Sequence, residues 1–378
     1  MIYKDFKGLR LSALGMGCMR LPVRDGKTAD IDEQATAEMV AEAMRGGINY
    51  YDTAWGYHDG FSEPVMGKIL KDYPRESFYL ATKFPGYDLD NMPKVREIFE
   101  AQLERLQTDY FDFYLIHNVC EKNIDAYLDP QYGIYDYLTE QVKSGRIRHL
   151  GFSAHGSREV IERFLAVYGD AMEFGQLQLN WLDYSFQNAK EKAELLHARG
   201  IPVWVMEPLR GGKLVRLAEA DEARLHALRP EECMPGWAFR FLQTLPYVTV
   251  TLSGMSNIEQ LRDNIALFSE DKPLNAAELE TLEDIARGMV GAIALPCTAC
   301  RYCTTHCPME LPIPDIISLY NEHVFTGGGF IAPMALDAYP PEKLPSACVG
   351  CQACEAVCPQ EIKIADMMSD FAAKLNMK

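Results

Sequence analysis

At 378 residues the chain is long enough to bury one large core and a second, smaller one. Its 54 Asp and Glu outnumber 37 Lys and Arg, and the resulting charge of −17 argues against a nucleic-acid partner, which selects basic stripes. Hydrophobic residues make up 48% of the chain, yet nowhere do about eighteen run together, so no membrane span is expected. The first residues, MIYKDFKGLRLSALGMG, lack the apolar run of a signal peptide, and a soluble cytoplasmic protein with reduced thiols is expected.

Taken in chain order, short apolar and β-branched runs alternate with stretches of helical length. The runs are LSALGMG at 11–17, GINYYDT at 47–53, FYLATK at 78–83 and FDFYLIH at 111–117. They continue with IRHLGFS at 147–153, FGQLQLN at 174–180, PVWVME at 202–207 and VTVTLSG at 248–254. Between them lie amphipathic segments such as DEQATAEMVAEAMRGG, whose apolar positions recur at helical spacing before a closing glycine pair. Eight strands with helices between them predict an α/β fold, a (β/α)8 TIM barrel over residues 1–291. A doubly wound open sheet is the competing topology. It normally carries G-x-G-x-x-G after its first strand, whereas here the early glycines read GMGC.

Chemistry on a barrel belongs at the carboxyl ends of its strands. The second run ends near Asp52, with Tyr57 on the loop beyond it; the third ends at Lys83 and the fourth at His117. A tyrosine beside a lysine ammonium is a proton donor whose acidity the cation increases. An aspartate keeps that lysine charged, and a neutral histidine donates a hydrogen bond to a substrate oxygen. Read singly, each residue has a structural alternative: a helix cap, a rim aromatic, a solvated strand end or a satisfied core histidine.

Asp52-Thr53-Ala54 with Tyr57 five residues after the aspartate, the lysine of ATK and the histidine of LIH together resemble the aldo/keto reductases. The resemblance covers the barrel segment and implies NADPH- or NADH-dependent reduction of a carbonyl, or oxidation of an alcohol, by hydride transfer. Asp52, Tyr57, Lys83 and His117 are then the catalytic tetrad. By the same resemblance Ser153 and Gln178 face the nicotinamide amide, although Ala154 stands where an asparagine usually follows the serine. Met206 takes the place of a stacking aromatic, and Leu209, Gly211 and Gly212 form a loop over the pyrophosphate. Ser256, Asn257, Gln260 and Asn264 are the expected adenosine contacts. Gly254 and Gln260 stand where NADP-preferring relatives place cations, which leaves NADH and NADPH both open. Trp55, Phe84, Tyr87, Tyr132 and Trp181 are candidate substrate walls; Cys18 and Cys120 read as buried hydrophobes.

Cysteine usage changes abruptly beyond the barrel segment. Eight of eleven cysteines form two copies of C-x-x-C-x-x-C-x-x-x-C-P: Cys297, Cys300, Cys303, Cys307 and Cys348, Cys351, Cys354, Cys358. This is the bacterial ferredoxin spacing, in which the fourth cysteine ligates the other cluster. It assigns Cys297, Cys300, Cys303 and Cys358 to one 4Fe-4S cluster, and Cys348, Cys351, Cys354 and Cys307 to a second. A structural zinc site needs fewer cysteines, and disulfides do not suit the compartment. The forty residues between the motifs, with a helix at LPIPDIISLYNEH and another at IKIADMMSDFAAKLN, predict a mainly helical ferredoxin-like domain over 292–378. The resemblance extends to the branch of the family that carries such a domain. Two functional readings follow: a nicotinamide-dependent reductase acting on a small carbonyl or alcohol, or an electron-transfer enzyme wired through its clusters to a ferredoxin or another redox protein. A third, a non-catalytic sensing module, sits poorly with an intact tetrad.

Overall fold

The computed structural model describes residues 1–291, 294–297 and 299–377, arranged as two compact units, Met1–Glu283 and Asp284–Lys378. The boundary expected between residues 291 and 292 falls at Ala292 and Ile293, outside the described residues.

The first unit opens with a hairpin of β1 (Tyr3–Phe6) and β2 (Leu9–Ser12), which pair antiparallel. Lys7 and Gly8 both take positive φ, 51° and 83°, the two-residue turn whose twist suits a hairpin. The run at 11–17 is therefore not one strand. It breaks at Ala13, and Leu14–Gly17 begins the barrel as β3. The remaining strands are β4 (Tyr50–Asp52), β5 (Tyr79–Phe84), β6 (Phe111–Val119), β7 (Ile147–Ala154), β8 (Phe174–Gln178), β9 (Val203–Met206) and β10 (Val248–Gly254). They close a parallel barrel in chain order, with β10 pairing β3.

Because successive strand residues face opposite sides, one parity along each strand fills the barrel. Tyr50, Ala81, Phe113, Phe174, Trp204 and Val250 form an inner layer with Phe6 and Leu11 of the hairpin, which plugs the amino-terminal end. The same parity, continued toward the carboxyl ends, turns Asp52, Lys83, Ser153, Gln176 and Met206 inward. Local chemistry sets the helices around the barrel. Asp32 caps the Glu33–Arg45 helix by accepting from Ala35 N at 3.1 Å, and Gly47, at φ 88°, follows its end. On the amino-terminal side, buried Asp112 accepts from Arg75 at 2.7 Å and Arg148 at 2.9 Å.

Among its described residues the second unit has no strand. Its longer helices are Ile313–Thr326 and Ile364–Lys374, and Ile313, Ile316, Ile317, Ile364, Met368 and Phe371 lie in its own core. The first of these helices closes at Gly327, which adopts φ 69° and begins a run of three glycines, 327–329.

Candidate active site and cysteine centres

Lys83 is fully buried at the carboxyl end of β5. Its Nζ donates to Asp52 Oδ1 at 2.5 Å, to Thr53 O at 2.8 Å and to Tyr57 Oη at 3.2 Å. Three acceptors around one amine suit an ammonium, which spends all three protons. Burial alone pushes the Asp52 carboxyl upward and the adjacent Lys83 charge opposes it; on the lysine, Asp52 and Tyr57 together outweigh burial and favour the charged form. Tyr57 differs from the sequence expectation. Lys83 does pull its acidity in the expected direction, but burial outweighs that pull and the phenol lies above its ordinary range. The hydroxyl thus keeps its proton at neutral pH.

His117 completes the group from β6. Its ring lies 6.2 Å from that of Tyr57, and burial and the Lys83 charge hold the imidazole well below its usual range, hence neutral. Its Nδ1 is buried with no hydrogen-bond partner among the described residues. Just beyond it, Asn118 adopts φ 58° within an irregular stretch of the β6–β7 ladder. Of the aromatic walls, Tyr87 packs edge-on against His117 at 5.3 Å. Phe84 is fully buried and belongs to the core, and Trp55 stacks under the Arg105 guanidinium at 3.5 Å. Cys18 and Cys120 are both buried, with their thiols pushed upward by burial, as suits inert hydrophobes.

A polar cluster that the sequence reading did not single out secures this constellation from behind. Buried Glu63 accepts from Thr82 Oγ1 at 2.6 Å, Gln102 Nε2 at 2.7 Å and Arg105 Nη1 at 3.3 Å. Gln102 also donates to Lys83 O at 3.0 Å, fixing the strand that carries the amine.

The expected coenzyme residues lie at the carboxyl ends of β7 to β10. Ser153 Oγ accepts the Asn118 N–H at 2.8 Å. Gln178 Nε2 donates to Asp183 at 2.9 Å, and Asp183 also binds Arg210 in a buried ion pair at 2.9 Å. Gln176, opposite Ser153 in the strand register, was missed in the sequence. It is buried, and its amide oxygen has no partner among the described residues. An orphaned acceptor there fits a carboxamide N–H such as that of nicotinamide. Leu209 precedes the turn in which Gly211 and Gly212 take φ 65° and 94°. Ser256, Asn257 and Gln260 are tied to one another around the start of the Ile258–Leu267 helix, by Ser256 N to Gln260 Oε1 and Gln260 N to Asn257 Oδ1. Asn264 is buried and donates to Ser253 Oγ at 3.1 Å. Arg262 pairs with Glu42 at 3.0 Å.

In the second unit the cysteines gather in crossed sets. One pocket is lined by Cys297, Cys300, Cys303 and Cys358, and another by Cys307, Cys348, Cys351 and Cys354. Matching left-handed residues shape the two loops, Ala299 and Arg301 in the first, Gly350 and Gln352 in the second. Backbone amides already point at sulfur, from Ala299 to Cys297 and from Leu311 to Cys307, both at 3.5 Å. Among the described residues no three His, Cys, Asp or Glu side chains converge tightly enough for a single ion. Four soft donors around each of two cavities fit a polynuclear iron–sulfur group instead.

A parallel eight-stranded barrel with a lysine-centred polar group at its carboxyl end, joined to a cysteine-lined helical unit, defines an oxidoreductase with an iron–sulfur domain. Residues 13–287 match the aldo/keto reductase family, and the chain belongs to it. Residues 296–363 match the 4Fe-4S dicluster domain. An uncharacterised oxidoreductase of Bacillus subtilis is 28% identical over 332 residues, spanning 76% of this chain and 96% of its own. An NADH-specific methylglyoxal reductase of Escherichia coli is 26% identical over 324 residues, spanning 74% and 96%. The holo form of an aldo-keto reductase from Bacillus halodurans matches with TM-score 0.61 and 27% identity, over 75% of this chain and 96% of its own. Among the described residues no helix is long and apolar enough to cross a membrane.

Proposed function

We propose that the barrel reduces a small carbonyl compound, or oxidises the corresponding alcohol, by hydride transfer with NADH or NADPH. The observation that carries this reading is the buried Lys83 ammonium shared between Asp52 and Tyr57. Bound nicotinamide supplies or accepts the hydride. Ser153, Gln176 and Gln178 would hold its amide, Met206 its ring, Leu209 and Gly211 the diphosphate, and Ser256, Asn257, Gln260 and Asn264 the adenosine side. Neutral His117 donates to the carbonyl oxygen and orients it, while Tyr57 delivers the proton that the developing alkoxide needs. In oxidation the Tyr57 phenolate, stabilised by the Lys83 charge, takes the proton from the alcohol. Asp52 holds the lysine in place. NADH is the named coenzyme of one relative, which supports a nicotinamide site without fixing the preference.

We further propose that Cys297, Cys300, Cys303 and Cys358 hold one 4Fe-4S cluster and that Cys307, Cys348, Cys351 and Cys354 hold another. The two four-cysteine cavities favour a second reading, in which electrons pass between the protein and a redox partner such as a ferredoxin. Anaerobic mixing of the oxidised holoprotein with NADH and, separately, NADPH tests both. Turnover of a test aldehyde without bleaching of the iron–thiolate absorption supports the reductase reading. Bleaching in step with coenzyme oxidation, before any carbonyl is added, transfers support to the electron-transfer reading.

A further inference from the structure

Gly254, at the end of β10, and Gln260, in the helix that follows, are uncharged, and Arg262 is paired with Glu42. A cation nevertheless lies there, contributed by a different loop. Arg20, just after β3, lays its stem across Gly254, so that a side chain at 254 would begin 3.2 Å from Arg20 Cβ, Cγ and Cδ. The guanidinium continues toward the neighbouring glycine turn, with Nη2 3.5 Å from where a side chain at Gly211 would start. Both neighbours are glycine, and the arginine fills the space that their missing side chains leave.

The backbone of Arg20 is anchored on both sides. Ser256 Oγ donates to Arg20 O at 2.9 Å, and the next amide, Leu21 N–H, donates to His58 Nε2 at 3.0 Å. His58 Nδ1 in turn meets Thr28 O at 2.7 Å, which sets the tautomer that leaves Nε2 as acceptor. Yet the guanidinium itself has no hydrogen-bonding, ionic or ring partner among the described residues, in a chain of net charge −17. A held arginine without a carboxylate, beside two left-handed glycines that leave the backbone open to close approach, suits a phosphate oxygen.

We propose that Arg20 is a phosphate ligand of the dinucleotide coenzyme, closing over the diphosphate at the Gly211–Gly212 turn and supplying the cation that the end of β10 lacks. The assignment rests on the nicotinamide reading above. It makes the charge contributed by Arg20 common to NADH and NADPH, so that the preference between them is set by other groups.

The test is equilibrium titration of the holoprotein with NADH and with NADPH, followed by reduced-nicotinamide fluorescence, for the unaltered chain, Arg20→Gln and Arg20→Lys. Glutamine keeps part of the stem and removes the charge. Arg20→Gln is expected to weaken both coenzymes by about ten- to a hundredfold, the usual worth of a hydrogen bond to a charged group, with Arg20→Lys in between. A loss confined to NADPH overturns the diphosphate assignment and places the guanidinium at the 2′-phosphate instead. Unchanged affinity for both coenzymes, where the unaltered protein binds them, overturns the role of Arg20 and leaves the nicotinamide reading standing. Failure of the unaltered protein to bind either coenzyme overturns both.

Discussion

Lys83 Nζ lies 3.2 Å from Tyr57 Oη, although the two residues are 26 positions apart and sit on different strand–loop units. The contact puts a fixed positive charge beside a phenol that burial keeps protonated. Replacing Tyr57 by Phe removes the transferable proton and keeps the ring against His117. Carbonyl reduction is expected to fall by about a hundred- to ten-thousandfold with little change in coenzyme affinity. Steady-state kinetics beside a coenzyme titration check this, and retained turnover would remove Tyr57 as the acid.

Lys83 and burial act on Tyr57 in opposite directions, so the pH profile has a definite sign. Reduction needs the protonated phenol; its rate stays level through neutral pH and declines only as pH rises through the raised Tyr57 value, above the ordinary phenol range of about 10. Lys83→Met removes the influence that lowers this value, moving the alkaline limb of reduction to higher pH. Oxidation, which needs the phenolate, loses more activity at a given pH. Profiles measured in both directions decide it, and a shift of the reductive limb to lower pH would contradict the assignment.

Crossed ligand sets predict a pattern for paired cysteine variants. Cys307→Ser with Cys354→Ser strikes one cavity and should leave the other cluster intact, with about half the iron. Cys307→Ser with Cys297→Ser strikes both cavities and should damage both clusters. Iron analysis and paramagnetic resonance of the reduced proteins separate the two. Equal damage from both pairs would rule out the crossed arrangement.

The hairpin plug at the amino-terminal end concerns stability alone. Phe6 is 4% exposed and meets Trp204 at 5.1 Å and Phe113 at 5.8 Å between ring centroids. Phe6→Ala should cost about 3–5 kcal/mol of stability through the cavity it leaves. Below the melting transition kcat should be unchanged, because the site lies at the opposite end of the barrel. Thermal unfolding with parallel kinetics tests this, and an equal fall in kcat would tie the plug to the site.

Much of the fold was legible because period-2 strands and period-3.6 helices leave local marks, and the count of eight strands follows from them. The hairpin was not read, although Lys7-Gly8 is a turn signal, because the apolar run at 11–17 hides the break at Ala13. Gln176 was overlooked in favour of Gln178. Both stand on the same strand parity, but Asp183, from the segment that follows, accepts from the amide nitrogen of Gln178, whereas Gln176 is buried with its carbonyl oxygen unpartnered among the described residues. The stacking of Trp55 under Arg105, and of Phe84 into the core, likewise reflects neighbours distant in the chain.

By itself the sequence determined the barrel, the iron–sulfur spacing, the family likeness and the residue types at the strand ends, since each is written in local order and spacing. Only the tertiary structure decided the balance of charge on Tyr57, the unpartnered oxygen of Gln176 and the passage of Arg20 over Gly254. Those depend on burial and on approaches between remote segments, where electrostatic strength follows solvent exclusion rather than position in the chain.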